Sequence, residues 1–231
     1  MRCLLSIDWD YFIKAPKSYR NSFFENQRTI QDLWYKRYIQ LKDKGINIKN
    51  LFKLDNYRKF WGGIIGKFNI GKDTRVFVSD SHKLSYDIAC RAMCNTVFLF
   101  DSHSDLGYGG LMSLKFDVNC ANWLGKLLKD KKINKAHIIY SPNTFEDKDY
   151  FKDQNSMFDI EYNKLEELPD NINVTAVHIC RSGAWAPPWY DSDFKSFLNY
   201  TKLKYNLINY KERSFDVSNL TLADRINYLL A

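Results

Sequence analysis

Three polar side chains that could bind metal follow an apolar run at every second position. Asp101, His103 and Asp105 come directly after Val97–Phe100. Because side chains two positions apart in a strand point the same way, we predict that the three converge at the carboxyl end of a strand. Open α/β sheets bind their ligands at that edge. The alternative interpretation is a turn rich in Asp and Ser that contains one histidine by chance.

Two further stretches have the same pattern of an apolar run followed by metal-binding side chains. Asp8 and Asp10 follow the run that begins at Leu4, and His82 comes shortly after Val76–Ser79. Parallel strands would bring all three ends to one edge, and four unpaired carboxylates there would repel each other, whereas two divalent cations would neutralise them. We therefore predict a two-metal site with these ligands: Asp8, Asp10, His82, Asp101, His103 and Asp105.

These motifs resemble those of the arginase and deacetylase-like ureohydrolases, which share an Asp-x-His-x-Asp motif, a separate upstream His and an Asp-x-Asp pair. The chain is most similar to a divergent branch with the patterns Asp-Ser-His-x-Asp, Asn-Trp and a strand that ends in Arg-Ser. Here the last two patterns are Asn122-Trp123 and Arg181-Ser182. That branch includes the peptide arginases, which convert arginine side chains of ribosomally made peptides to ornithine.

The resemblance implies an α/β fold with a rearranged strand order. Ureohydrolases place the Asp-x-Asp strand after the Asp-x-His-x-Asp strand, whereas here the Asp8 strand comes first, so the order looks circularly permuted. Permutation is tolerated where chain termini lie close together. The resemblance covers the sheet-forming parts up to about residue 190. We expect a three-layer αβα sandwich with a mostly parallel sheet, formed as a single arginase-like domain by residues 1–231.

The resemblance also implies roles for the ligands. Two of the aspartates, Asp8 and Asp101, would bridge the two ions. Of the other ligands, His82 and Asp105 would complete the site of one ion, and His103 and Asp10 would complete the site of the other. A mixed oxygen and nitrogen set suits two Mn²⁺ ions, with iron or cobalt as alternatives. The electrophile would be a guanidinium carbon, and Asp101 or Asp105 could move protons. The implied catalytic residues are Asp101, Asp105, Asn122 and Arg181.

One departure from the family concerns the substrate. Arginases bind the guanidinium with an acidic residue on a late strand, but the comparable strand here ends in Arg181, which would repel it. Either Glu25 or Asp191 takes this role, or the substrate differs. Arg181 could instead bind a substrate carboxylate or pair with a metal-ligand Asp. Asn122 also has two interpretations, helix capping beside a core residue or contact with substrate.

Composition limits the class of protein. With 231 residues, 45% of them hydrophobic, the chain can bury a substantial core. Five cysteines, mostly inside apolar patterns, argue against a disulfide framework. No early segment resembles a secretory signal and no apolar stretch is long enough for a span, so we expect a soluble cytoplasmic protein without a membrane partner.

The net charge of +7 could indicate nucleic acid or an acidic substrate. Lysines are spread over the chain without a basic stripe or a nucleic-acid motif, so we expect no nucleic-acid partner. An acidic segment of an arginine-containing precursor peptide would be attracted by the same positive charge.

Periodicity predicts the elements that position these residues. The first strand, Cys3–Asp8, should lie parallel to Val97–Phe100, and the proline-rich loop Trp185–Tyr190 should form a wall of the pocket. Further strands are predicted at Arg75–Ser79, Ala136–Tyr140, Met157–Ile160 and, as the last clear parallel strand, Val174–Cys180. Helices are predicted over Phe23–Lys44, Asn50–Lys67, Lys83–Cys94, Asn122–Leu128 (or from Asn119), Asp191–Leu203 and Thr221–Leu230.

The favoured function is metal-dependent hydrolysis of an arginine guanidinium. The sequence leaves two alternative functions open. One is a metal-dependent hydrolase of another amide or amidine, either a deacetylase-like enzyme or a small-molecule ureohydrolase. The other is a non-catalytic, metal-stabilised module that binds peptides in an aromatic cleft.

Overall fold

A parallel sheet lies at the centre of the protein. The computed structural model describes residues 2–19 and 30–230. In this part of the chain the sheet has the strand order β10-β5-β9-β1-β6-β7-β8, with β4 beside β9, and every pairing in it is parallel. The strands are β1 (Cys3–Asp8), β2 (Ile13–Lys14), β3 (Lys53–Leu54), β4 (Phe68–Asn69), β5 (Arg75–Ser79), β6 (Thr96–Asp101), β7 (Lys135–Tyr140), β8 (Asp159–Tyr162), β9 (Ile172–Cys180) and β10 (Tyr205–Leu207).

Helices cover both faces of the sheet. The α-helices are α1 (Ile30–Lys42), α2 (Phe60–Lys67), α3 (Leu84–Arg91), α4 (Gly110–Ser113), α5 (Trp123–Lys129), α6 (Lys152–Met157), α7 (Asp191–Tyr200) and α8 (Leu222–Leu230). Short 3₁₀ helices lie at Trp9–Phe12, Lys17–Tyr19, Ile48–Asn50, Lys148–Phe151, Leu165–Glu167 and Pro188–Tyr190. No helix in the described segments is long and apolar enough to cross a bilayer.

Alternation along the strands creates two hydrophobic layers. Leu5 of β1 packs in one cluster with Trp34 of α1 and Phe197 of α7. Its neighbour Leu4 points to the other face and packs in a second cluster with Leu124 of α5. Because successive side chains of a strand alternate between faces, these buried, nearly all-apolar strands are those of a sheet covered on both sides. The α/β class with helices on both faces of a mostly parallel sheet is thus as predicted.

The first strand is central in the sheet. β1 pairs in parallel with β6 on one side and β9 on the other. The predicted parallel alignment of the first strand with the Val97–Phe100 strand is confirmed. In the register Ile7 lies beside Phe100, so the next residues, Asp8 and Asp101, leave the sheet side by side.

Some predicted element bounds are wrong. The helix predicted from Asn50 begins only at Phe60, because Lys53–Leu54 pairs in an antiparallel manner with Ile13–Lys14. One parallel strand was not predicted: after β9, the short and exposed β10 pairs with β5. β10 has no buried residue, so it lacks the apolar run that marks the other strands. The predicted start of α1 at Phe23 lies outside the described residues.

Candidate metal centre

The same local turn shapes the ends of β1 and β6. The Asp8 carboxylate accepts a hydrogen bond from the Asp10 backbone N–H at 2.9 Å, and the Asp101 carboxylate accepts one from the His103 N–H at 2.8 Å. Such Asx turns are a common way for an Asp to end an extended segment. They correct the predicted mechanism of convergence, because Asp10, His103 and Asp105 lie beyond the strands and are brought in by turns rather than by strand alternation.

One half of the cluster is centred on His82. Its Nδ1 atom lies 3.1 Å from Asp8 Oδ2, 3.0 Å from Asp101 Oδ2 and 3.1 Å from Asp105 Oδ2. The four side chains come from two strand ends and two loops, and each is at most 7% exposed. Asp8, His82 and Asp101 offer ligand atoms close enough together to hold a metal ion.

The other half of the cluster contains His103. Its Nδ1 atom lies 3.0 Å from Asp10 Oδ2 and 3.4 Å from Asp101 Oδ1. Asp10, Asp101 and His103 form a second group with the spacing of metal ligands. Asp101 belongs to both groups, with Oδ2 facing His82 and Oδ1 facing His103. All six predicted ligands are therefore brought together at one sheet edge.

The protonation of the cluster reflects a shortage of positive charge. Burial raises the pKa of Asp101, and the neighbouring carboxylates Asp10, Asp8 and Asp105 raise it further. Burial acts to lower the pKa of His82, but the carboxylates of Asp101, Asp105 and Asp8 close to Nδ1 outweigh it, and the pKa is well above its usual range. The pKa of His103 is raised in the same way, mainly by the charge of Asp10. Two imidazolium rings can offset only two of four carboxylates.

Two buried atoms identify where positive charge is missing. His82 Nδ1 and Asp101 Oδ2 make no hydrogen bond within the described part of the chain, although both are inaccessible to solvent. Buried polar atoms are normally satisfied, and each exception requires an explanation. An imidazole nitrogen that faces carboxylate oxygens provides, once its proton has left, the donor set that a divalent cation requires. The residues present therefore fit a metal ion.

Asp105 and Ser182 adopt backbone conformations that are uncommon outside glycine. Asp105 has φ +52° and Ser182 has φ +48°. Left-handed conformations of this kind concentrate at functional sites. Here each one directs a side chain to the cluster: Asp105 accepts a 2.5 Å hydrogen bond from Trp123 Nε1, and the Ser182 hydroxyl donates to Asp8 Oδ2. Trp123 also packs its ring against His82, with centroids 4.9 Å apart.

Asn122 has a structural environment. Its amide nitrogen donates to the carbonyl oxygens of Ser113 and Asp117, its amide oxygen accepts from the Asn119 N–H, and it does not line the cavity. It precedes α5 but makes no side-chain cap bond. Of the two interpretations of the Asn-Trp pair, these contacts favour a loop-organising role for Asn122. The neighbouring Trp123 is the residue that touches the predicted ligands.

Arg181 is also held away from the cluster. It is fully buried, its Nε and Nη2 atoms donate to the Asp80 carboxylate at 2.6 and 2.8 Å, and Nη1 donates to Asp191 at 3.0 Å. It pairs neither with a predicted metal ligand nor with a residue of the cavity wall. This geometry favours a structural role for Arg181 over contact with substrate. Asp191 is occupied by Arg181 and Arg213, and Glu25 lies outside the described residues.

A cavity of about 320 Å³ opens onto the cluster. All six predicted ligands line it, and aromatic side chains form much of its wall: Tyr19, Tyr108, Phe145, Tyr150 and Trp185. Of the predicted loop Trp185–Tyr190, only Trp185 lies at the cavity. Trp189 packs against Trp34 and Phe52 instead. The loop therefore contributes one residue to the wall and otherwise anchors itself in the core.

Glu146 is a cavity residue that sequence reasoning missed. Its carboxylate accepts hydrogen bonds from the Ser104 N–H at 2.8 Å, from the Tyr140 hydroxyl at 3.1 Å and from the Tyr108 hydroxyl. Among the described residues that line the cavity, it is the one acidic side chain outside the four aspartates. Burial raises its pKa, opposed by the charge of His103. Its position in the loop after β7, another strand that ends at this edge, was the available signal.

Comparison with known proteins adds no relative. No family model, curated protein or solved structure matches the chain.

Proposed function

We propose that the protein is a binuclear-metal hydrolase that converts an arginine side chain, in a ribosomally made precursor peptide, to ornithine with release of urea. The observation that carries the proposal is the group of four carboxylates and two imidazoles that lines an aromatic-walled cavity. The parallel alignment of β1 beside β6 supports the permuted ureohydrolase strand order, which is part of the proposal.

The two groups of ligands suggest how two ions would be held. Asp8 and His82, supplemented by Asp105, would bind one ion, and Asp10 and His103 the other. Asp101 would bridge, since it belongs to both groups. The oxygen and nitrogen donors suit Mn²⁺. Bound there, two divalent cations would supply a water molecule of lowered pKa close to the electrophile.

The reaction is balanced with water as the only co-reactant. Water adds to the guanidinium carbon, the bond from this carbon to the side-chain nitrogen breaks, urea leaves, and the side chain keeps a protonated primary amine. Asp105 is the better candidate for moving the proton from the attacking water to the departing nitrogen, because Asp101 belongs to both ligand groups, whereas Asp105 would only supplement one of them. Trp123 holds Asp105 in place for this task through its indole N–H.

Glu146 supports a cationic substrate. The four aspartates face the two imidazoles, so Glu146 is the carboxylate left to receive a guanidinium group that enters the cavity. The hydroxyls of Tyr108 and Tyr140 fix its position before substrate arrives. The aromatic walls would favour a planar cation by stacking. This would fill the role that the late-strand acid has in arginases.

A groove next to the cavity supports a peptide over a free amino acid. Phe145, Glu146 and Tyr150 line both the cavity and this open groove, which continues to Tyr140 and Tyr162. Phe145 and Tyr150 are 52% and 74% exposed, so apolar surface is available to residues that flank a target arginine. Free arginine would leave this surface without a contact.

The experiment compares substrates on the Mn²⁺-loaded protein. Free arginine, agmatine and an arginine-containing peptide are incubated with it, urea is assayed, and the peptide mass is followed for the loss of one cyanamide unit per arginine. We expect the peptide to be turned over best. Hydrolysis of a different amide or amidine, with every arginine intact, would replace the proposal by the other hydrolase, and tight metal binding with no hydrolysis would favour the binding module.

A pair of variants tests the role of Glu146. Glu146→Gln removes the negative charge but keeps the shape, so we expect KM for the peptide to rise while bound Mn²⁺ is unchanged. Glu161→Gln is the control, since Glu161 pairs with Lys135 and does not line the cavity. Equal KM values for Glu146→Gln and the unmodified protein would remove Glu146 from substrate binding.

A further inference from the structure

A chain of buried hydrogen bonds leads from His82 into the sheet. His82 Nε2 lies 2.8 Å from Ser6 Oγ, Ser6 Oγ lies 2.9 Å from Ser85 Oγ, and Ser85 Oγ lies 2.6 Å from His178 Nδ1. His178 Nε2 then lies 2.8 Å from Ser79 Oγ. All five side chains are at most 2% exposed. These hydrogen bonds are therefore shielded from bulk solvent along their length.

The strand register explains why these residues meet. Ser6 of β1 lies beside His178 of β9, and Ser79 belongs to β5 on the other side of β9. Ser6 shares the sheet face of Leu4, and Ser85 lies on α3, which packs over this face. Sequence analysis did not single out His178, because it stands inside the apolar strand Ile172–Cys180 with no other polar signal beside it.

The far end of the chain sets the direction of the hydrogen bonds. The Ser79 hydroxyl donates to the Ser81 carbonyl at 3.0 Å, so its one proton is used. His178 must then donate from Nε2 to Ser79. The hydrogen bonds found for the buried His178 ring in the described part of the chain go to two serine hydroxyls and to no carboxylate, so the ring is neutral and its Nδ1 accepts from Ser85. Ser85 in turn accepts from Ser6, and Ser6 accepts from His82 Nε2.

We infer that His178, acting through Ser85 and Ser6, is a positioning residue that keeps the His82 proton on Nε2 and so leaves the Nδ1 lone pair free for a metal ion. This inference rests on the metal site of the proposed function. His82 Nδ1 is the atom that faces Asp8, Asp101 and Asp105. Hydrogen bonds to the second ring nitrogen are known to fix the tautomer and orientation of metal-binding histidines.

The opposite direction of the chain would have the opposite effect. Ser79 would give its proton to His178, His178 would donate from Nδ1 to Ser85, and Ser6 would finally donate to His82 Nε2. A neutral His82 would then carry its proton on Nδ1, directed at the carboxylates, and could not bind a cation through that atom. The bond from Ser79 to the Ser81 carbonyl would also be lost.

Nuclear magnetic resonance of ¹⁵N-histidine-labelled protein tests the inference directly. The protein has four histidines, so each ring can be assigned by substitution. Zn²⁺ serves as a diamagnetic probe. In the Zn²⁺-loaded protein we expect His82 with Nε2 protonated and Nδ1 bound to metal, and His178 neutral with Nε2 protonated. A His82 ring that carries its proton on Nδ1 would overturn the inference.

Variants of the chain give a second readout. Ser85→Ala removes the link with the smallest loss of volume, and His178→Leu removes the acceptor, so we expect Zn²⁺ affinity to fall about 10- to 100-fold in both. His178→Asn, which keeps an acceptor near Nδ1, should retain more affinity than His178→Leu. The matched control is His137→Leu. His137 is a buried strand histidine that stacks on Phe98 and takes no part in the hydrogen-bond chain.

The outcomes separate this inference from the proposed function. Wild-type Zn²⁺ affinity in a folded Ser85→Ala protein, with the His82 spectrum unchanged, would overturn the inference even if His178→Leu fails to fold. Weakened binding in the chain variants, with no urea formed by any form of the protein, would keep the inference and reject the arginine substrate. Absence of Zn²⁺ binding by the unmodified protein would overturn both.

Discussion

Two buried polar clusters at the same edge of the sheet differ in their charge balance. At the end of β9, Arg181 and Arg213 meet Asp80 and Asp191, so two guanidinium groups face two carboxylates. The Arg181 guanidinium also lies over the ring of Tyr210, with 4.1 Å between the guanidinium carbon and the ring centroid. At the ends of β1 and β6, four carboxylates face two imidazoles.

The difference distinguishes buried charges that stabilise the fold from buried charges that favour the binding of cations. A cluster whose charges cancel needs nothing from outside the chain, and its removal costs stability. A cluster with unbalanced carboxylates and an unpartnered buried oxygen, such as Asp101 Oδ2, requires cations to be stable in its ionised form. The sequence left open whether Arg181 contacts substrate or pairs with an aspartate of the predicted metal site, and its observed partners, Asp80 and Asp191, belong to the balanced cluster.

The largest expected effect comes from Asp101. Asp101→Asn removes the carboxylate common to both ligand groups, so we expect urea formation and tightly bound metal to fall below detection. The metal-free variant should unfold at no lower temperature than the metal-free parent, because one of four crowded like charges is gone. Metal content, urea release and thermal unfolding measure the three quantities. A variant as active as the parent would refute the unbalanced cluster as the metal site.

Asp80 should show the reverse behaviour. Asp80→Asn leaves the buried Arg181 guanidinium without its bidentate partner, and breaking a buried pair in this way costs about 3–5 kcal/mol of unfolding free energy. Chemical denaturation measures this loss. Glu212→Gln is the control, since Glu212 pairs with Lys195 on the surface and should leave the midpoint unchanged. A midpoint for Asp80→Asn that matches this control would mean that the balanced network is not structural.

Added cations should stabilise one cluster and not the other. For a ligand that binds only the folded state, Mn²⁺ at about 100 times its Kd raises the unfolding free energy by about 2.7 kcal/mol for each ion bound. We expect this increase, reversed by EDTA, in the unmodified protein and in Asp80→Asn, and none in Asp101→Asn. Denaturation curves with and without Mn²⁺ provide the measurement. An equal increase in Asp101→Asn would place the bound ion elsewhere.

The smallest effect is expected at Trp123. Trp123→Phe removes the indole N–H that holds Asp105 but keeps a ring against His82, so we expect Mn²⁺ affinity to fall by about tenfold. Trp61→Phe is the matched control, because the buried Trp61 indole donates to the Phe197 carbonyl, away from the cluster. Calorimetric titration compares the two. A similar change in both variants would indicate a general packing effect rather than the positioning of Asp105.

Element prediction succeeded where the pattern was local. The apolar runs of β1, β5 and β6 identified buried strands, and the Thr221 to Asp224 capping box that begins α8 is present, with the Asp224 N–H donating to Thr221 Oγ1. It failed where partners are distant. β3 lies inside the predicted helix because it pairs with the distant β2, with Ile13 beside Leu54, and β10 is held by β5 without any buried residue of its own.

The sequence by itself determined which ligand types stand at the strand ends. Asp8, His82 and Asp101 each follow an apolar run, and a parallel sheet brings such ends together at one edge. That inference needs only strand direction and residue type, both of which are local. The six predicted ligands were therefore recognisable before any contact was known.

Only the tertiary structure decided which polar groups are balanced and which hold the site in place. Arg181 and Asp80 are 101 positions apart, and Ser85 and His178 are 93 apart. Glu146 is held at the cavity because its carboxylate accepts a hydrogen bond from the Ser104 N–H, in the loop that carries His103 and Asp105. Pairings of this kind depend on how strands and helices pack across the sheet, and hydrogen bonds form only within about 3 Å. Spacing along the chain carries no information on such distances.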